Sequence, residues 1–231
     1  MKHSPGQYVN LLSVLLEKNS QKENSIQMQK YMKNLFPFFG IKSPERKEIF
    51  RQFIKDEGFP SMEDVKEVVI LLYQKAEREF HYFAIELANK YSGKFDKEDI
   101  KLFEYLIVKY SWWDTIDYIA VNSLGMFFRV HPEVIPETTA LWMESGNKWL
   151  QRSCILFQLK YKKDTDLQLL YSFIDKLKLS NEFFIQKAIG WSLREYSKVD
   201  PQEIMRYIRN NELKSLSLRE AQRIIIKREL S

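Results

Sequence analysis

The chain has 231 residues, of which 45% are hydrophobic and 14% aromatic, enough for a substantial core in one large domain or one repeat array. Seven Gly and seven Pro are too few for a turn-dense all-β protein, and 36 Lys+Arg against 31 Asp+Glu leave a net charge of +5 that suits a polyanion partner without requiring one. The single cysteine, Cys154, excludes an internal disulfide and fits a reducing compartment.

Helical punctuation recurs from one end to the other. Apolar spacing and capping residues predict helices near 6–18, 23–35, 43–56, 61–74, 78–92, 97–109, 112–129, 132–144, 148–163, 165–177, 181–197, 201–210 and 217–229. Ser43-Pro44 puts a capping residue ahead of a first-turn proline. Asp96 leads another start, and His131-Pro132-Glu133 a further one. Ser111-Trp112-Trp113-Asp114 reads as a capping box with Ser111 as N-cap. Asp200-Pro201-Gln202-Glu203 and Ser217-Leu218-Arg219-Glu220 carry the same signal. Val65, Val68, Val69 and Leu72 form an apolar face at helical steps, and no segment alternates as a strand. With short connections and no low-complexity linker, residues 1–231 read as a single domain. No basic-then-apolar leader opens the sequence, and no run of about 18 apolar residues could span a bilayer. His3, His81 and His131 are scattered, without the spacing of a metal site. These features predict a cytoplasmic protein with no membrane partner and no metal or other cofactor.

A repeat runs through the helices. Lys47, Tyr82, Asp117, Arg152 and Lys187 stand 35 residues apart. Two residues after each come Ile49, Ala84, Ile119, Cys154 and Ile189, which makes Cys154 a small buried hydrophobe. Tyr91, Met126, Tyr161 and Tyr196 follow the last four at a further fixed offset. A period of this length with apolar residues in register predicts an all-α, right-handed α-solenoid of about six HEAT-like antiparallel helix pairs with a basic concave groove.

Equivalent positions in stacked repeats are neighbours, so Asp117 is expected beside Arg152, with Lys187 next along. Trp113 precedes Asp117 by one helical turn, and Trp191 follows Lys187 by one, with Arg194 beyond it. Trp112 points about 100° from Trp113 and is free to enter the core. Two aromatic faces, one carboxylate and several cations can therefore meet on one surface. Pattern alone leaves plainer readings open: tryptophans at helical spacing as core, Asp117–Arg152 as an inter-repeat ion pair, and basic residues as a solvated face.

Longer strings carry a family resemblance. They are Tyr31-Met32-Lys33-Asn34, Gly40-Ile41 with Pro44-Glu45-Arg46, Arg78-Glu79-Phe80, and Ser111-Trp112-Trp113-Asp114 through Asp117. Trp149-Leu150-Gln151-Arg152, Phe157-Gln158-Leu159-Lys160-Tyr161, Glu182 through Trp191, and Leu193-Arg194-Glu195 continue them. Over nearly its whole length the chain resembles the AlkD-type DNA glycosylases, HEAT-like-repeat enzymes that excise alkylated purines. The resemblance implies a catalytic Asp117, active-site tryptophans Trp113 and Trp191, and a phosphate-contacting Arg152, with Tyr31 lining the same cleft. Arg46, Lys47, Lys187 and Arg194 are further candidates for DNA contact. It also implies monofunctional release of 3-methyladenine and 7-methylguanine from duplex DNA without flipping the base; the protein is separately expected to act as a monomer. In the cell such a protein would associate with the nucleoid. Two other classes remain open on the fold alone: a non-catalytic binder of distorted DNA and a protein–protein scaffold.

Overall fold

The structure is a computed structural model that describes residues 3–229. Every regular element among those residues is helical. They divide into two compact units, 1–91 and 92–231, and each is taken in turn.

The first unit holds α1 (Pro5–Lys18), α2 (Lys22–Tyr31), α3 (Ser43–Glu57), α4 (Val65–Tyr73) and α5 (Arg78–Tyr91). Ser4 caps α1 reciprocally: its N–H donates to Gln7 Oε1 at 3.0 Å, and its Oγ accepts from the Gln7 N–H. The buried stripe Tyr8, Val9, Leu12 and Leu16 then faces α4, whose Val65, Val68, Val69 and Leu72 are fully buried. Phe50 and Phe53 of α3 meet Phe83 of α5, closing the core.

A loop between α2 and α3 is held by charge. Glu79, completely buried, accepts from the N–H groups of Phe39, Gly40 and Ile41 at 3.0–3.1 Å. Gly40 makes the loop possible: its φ is +92°, and a Cβ there would come within 2.1 Å of Gln21 O. Helix 23–35 stops early, at Tyr31, because Lys33 and Asn34 both turn to φ 58°. Asparagine tolerates that region, and the Asn34 N–H closes the turn on Gln29 O at 2.8 Å.

The second unit holds α6 (Ile100–Val108), α7 (Trp113–Tyr118), α8 (Gly125–Val130), α9 (Ile135–Glu144), α10 (Lys148–Leu156), α11 (Leu167–Leu177), α12 (Phe183–Tyr196), α13 (Pro201–Asn210) and α14 (Ser215–Glu229). A π-helical stretch, Ile119–Leu124, joins α7 to α8 without a break. Helices α10, α12 and α14 pack in sequence, while α9, α11 and α13 fill in behind them, the stacking expected of a solenoid. The stacking brings residues about one repeat apart together. Tyr161 Oη donates to Gly125 O at 2.6 Å, across 36 residues. Trp142 Nε1 donates to Glu104 Oε2 at 3.1 Å, across 38. Cys154 is buried in this core as expected.

Helix ends in this unit follow the sequence signals only in part. The Asp200 cap forms, its Oδ1 accepting from the Glu203 N–H at 2.9 Å. The Ser217 capping box does not, since α14 already starts at Ser215 and the Ser217 hydroxyl donates to Gln186 O. Helix 148–163 ends at Leu156, because the buried Gln158 side chain grips both the N–H and the carbonyl of Asp166 and turns the chain.

Candidate active site

Helix α7 begins at Trp113, preceded by Trp112 in an extended conformation. The capping box expected at Ser111 is absent. The Ser111 hydroxyl donates back to Ile107 O at 2.6 Å, a local bond that competes with capping. The tryptophan pair divides, though by the extended backbone at Trp112 and not by the helical offset expected with both residues in the first turn. Trp112 joins Trp149 and Phe184 in an aromatic cluster with ring centroids 4.9–5.9 Å apart. Trp113, half-buried, lines a cavity of about 360 Å³ together with Asp117, Arg152, Phe183, Lys187, Trp191, Arg194 and Glu220.

Asp117 stands one turn along α7, just before the π-helical stretch. Helix α10 presents Arg152 to it, across 35 residues. Arg152 Nε donates to Oδ1 at 2.7 Å and Nη2 to Oδ2 at 2.8 Å, a two-pronged pair that fixes the carboxylate plane. Nη1 donates to Phe184 O, so α12 holds the guanidinium from the other side. Arg152 is 4% exposed, and three of its bonds are internal, which leaves two of a guanidinium's five N–H groups for a ligand. Burial pushes the Asp117 carboxyl above the usual aspartate range, against the lowering effect of the Arg152 bonds and charge; nearby Asp114 adds to the rise.

Helix α12 carries Lys187, Trp191 and Arg194 at helical steps along one face. Lys187 and Arg194 both bond Glu220 of α14. The six residues that the repeat brought together, Trp113, Asp117, Arg152, Lys187, Trp191 and Arg194, thus line one cavity. Tyr31, Arg46 and Lys47 belong to the first unit. Tyr31 ends α2 and is 69% exposed. Lys47 is exposed on α3. Arg46 is buried, bonded to Glu86 at 3.0 Å and seated over the Tyr82 ring at 4.4 Å.

Sequence reasoning missed Phe183, Phe184 and Glu220 as cavity residues. The phenylalanines stand inside one of the family-like strings but off the repeat row. Glu220 was hidden by register: the next 35-residue step falls on Gln222, whereas Lys187 finds its partner 33 residues along.

Among the described residues no group of His, Cys, Asp or Glu could hold a metal ion, and no helix is long and apolar enough to cross a membrane.

An all-helical stack with an acid–arginine pair between tryptophans defines a class that comparison with known proteins names. The family model for DNA alkylation repair enzymes matches residues 12–225. The chain belongs to that family. Among solved structures it is similar to a predicted DNA alkylation repair enzyme from Enterococcus faecalis. That likeness has 34% identity and a TM-score of 0.81, and covers 88% of this chain and 95% of that one. AlkD2 from Streptococcus mutans shares the fold at 21% identity and a TM-score of 0.60, over 85% of this chain and 96% of that one. No curated protein matches the chain.

Proposed function

We propose that this member of the DNA alkylation repair family is a monofunctional DNA glycosylase. It hydrolyses the N-glycosidic bond of cationic alkylated purines, 3-methyladenine and 7-methylguanine, in duplex DNA. Residues 1–231 act as one functional domain and as a monomer in this reading. The observation that carries it is the Asp117 carboxylate, locked in plane by Arg152 inside a cavity walled by Trp113 and Trp191.

A cationic purine leaves readily, so no strong general acid is required. As the bond to the sugar lengthens, positive charge builds on the deoxyribose. Asp117 stabilises that charge and orients the attacking water. The faces of Trp113 and Trp191 hold the sugar and add a cation–π attraction of about 0.5–2 kcal/mol. Lys187 and Arg194, with the free N–H groups of Arg152, bind the flanking phosphates, and Tyr31 and Lys47 of the first unit also contact the DNA. The lesion stays stacked while the cavity receives the backbone. No lysine acts as a Schiff-base nucleophile, and the product is an abasic site.

The same buried pair would also suit a binder of distorted DNA that performs no chemistry, and base release separates the two. Duplex DNA carrying 7-methylguanine is incubated with wild type or Asp117→Asn at saturating protein, and free base is measured. Wild type is expected to release base at least about a hundredfold faster, the usual scale for losing an electrostatic catalytic group. Equal release would remove the catalytic reading and leave the binder.

A further inference from the structure

Glu220 enters the cavity from α14, outside the row of repeat-related residues. Its two oxygens divide between two cations. Lys187 Nζ donates to Oε1 at 2.9 Å, and Arg194 Nη1 donates to Oε2 at 2.5 Å. The carboxylate is only 13% exposed. The Lys187 bond and the charges of both cations hold it below the usual glutamate range, so it is ionised at neutral pH.

The placement is enforced by the backbone. Helix α14 runs against α12 at Gly190, where a Cβ would come within 2.5 Å of Glu220 Cβ and 2.8 Å of Ser217 O. Ser217 Oγ ties the same turn to Gln186 O at 3.1 Å. The backbone and Cβ of Glu220 are therefore fixed at the cavity wall, and its carboxylate is held there by the bonds from Lys187 and Arg194. Lys187 and Arg194 each give it one N–H and keep the others for a ligand.

The charge count of the cavity shows what Glu220 does. Three cations, Arg152, Lys187 and Arg194, face two carboxylates, Asp117 and Glu220. Without Glu220 the surplus would be two positive charges. Such a surplus attracts phosphate, yet it opposes both a cationic base and the positive charge that grows on the sugar. A site that must hold an anionic backbone around a cationic reacting centre needs its cations offset.

We propose that Glu220 is a positioning residue that offsets Lys187 and Arg194, letting the cavity grip DNA phosphate without repelling the cationic lesion. This rests on the glycosylase reading. The test uses the full chain, folding being checked by thermal melts. For Glu220→Gln, affinity for undamaged duplex is expected to rise, with a log K against log salt slope steeper by about 0.9, the contribution of one more neutralised phosphate. Single-turnover release of 7-methylguanine is expected to fall roughly tenfold, an effect confined to the transition state. Glu220→Asp keeps the charge and should stay near wild type in both. Adding Lys187→Met to Glu220→Gln restores the balance and should recover most of the release rate. Weaker binding of undamaged duplex by Glu220→Gln at an unchanged slope would mark a merely structural residue and overturn the proposal. So would a slow release that the double variant does not relieve. Should Glu220→Gln fail to fold, Glu220→Ala decides by the same two readouts: a steeper salt slope with slower release supports the offset, and an unchanged slope overturns it. If wild type releases no base, the glycosylase reading has failed by itself. The binding arm then still tells whether Glu220 offsets the cations.

Discussion

Asp117 is under two opposed influences that a pH profile can separate. Burial favours its neutral form, and the Arg152 guanidinium favours the carboxylate. In the glycosylase reading only the carboxylate can stabilise a growing cation, so the active fraction rises as pH rises through the Asp117 pKa. Because that pKa is raised, the acid limb of single-turnover base release, corrected for spontaneous loss, is expected above the ordinary aspartate value of about 3.9. Removing the opposing guanidinium with Arg152→Gln should move the limb to still higher pH. The same change leaves a buried carboxylate unpaired, so urea melts should show a loss of about 3 kcal/mol. An acid limb that stays where wild type has it would mean that Arg152 does not govern the Asp117 charge. The sequence made this pair legible through the repeat alone, because a 35-residue step needs no side-chain detail to place Asp117 beside Arg152. It could not show that Arg152 would be buried, since that depends on Phe184 O reaching it from a third helix.

At the scale of elements, apolar spacing located helices well, and their ends were decided by contacts that local sequence does not announce. The Ser111 and Ser217 hydroxyls looked like caps yet bond to Ile107 and Gln186 carbonyls, because serine serves either role and the packing of neighbouring turns selects one. Gly190 is a similar case. A glycine in mid-helix reads as a weakness, and replacing it by alanine ordinarily stabilises a helix by about 1 kcal/mol. Here the sign is expected to reverse, since the new Cβ would meet the Ser217 backbone as well as Glu220. Gly190→Ala should destabilise the protein by about 1–3 kcal/mol, the cost of overpacking a tight contact. Gly6 is the control: it lies in the first turn of α1, where an alanine methyl would meet nothing within 4 Å, so Gly6→Ala should be neutral or raise the melting temperature slightly. A melting temperature that rises in Gly190→Ala would show that α14 can stand away from α12, and the fixed placement of Glu220 would go with it.

At the scale of the whole molecule, the question is whether the first unit takes part in gripping DNA. All residues of the candidate cavity come from 92–231, while Tyr31, Arg46 and Lys47 come from 1–91. Sequence reasoning grouped Arg46 and Lys47 as adjacent cations, and the structure gives them different work. Arg46 is buried and paired with Glu86 over the Tyr82 ring, so it holds α3 to α5. Lys47, one residue on, is exposed to solvent. Exposed lysines that neutralise a phosphate on binding release a counterion, and each contributes about 0.9 to the salt slope of duplex affinity. Lys47→Gln should therefore flatten that slope by about one such contribution. Base release from fully bound DNA should not change, because Lys47 meets neither the sugar nor the base in this reading. Arg46→Gln should do the reverse, lowering stability to urea by about 1.5–3 kcal/mol as its half-buried hydrogen-bonded pair with Glu86 is broken, with little change in slope. The measurement is a binding isotherm for each variant across a range of salt, beside a urea melt. A Lys47→Gln slope equal to that of wild type would remove Lys47 from DNA contact and leave α3 a structural helix.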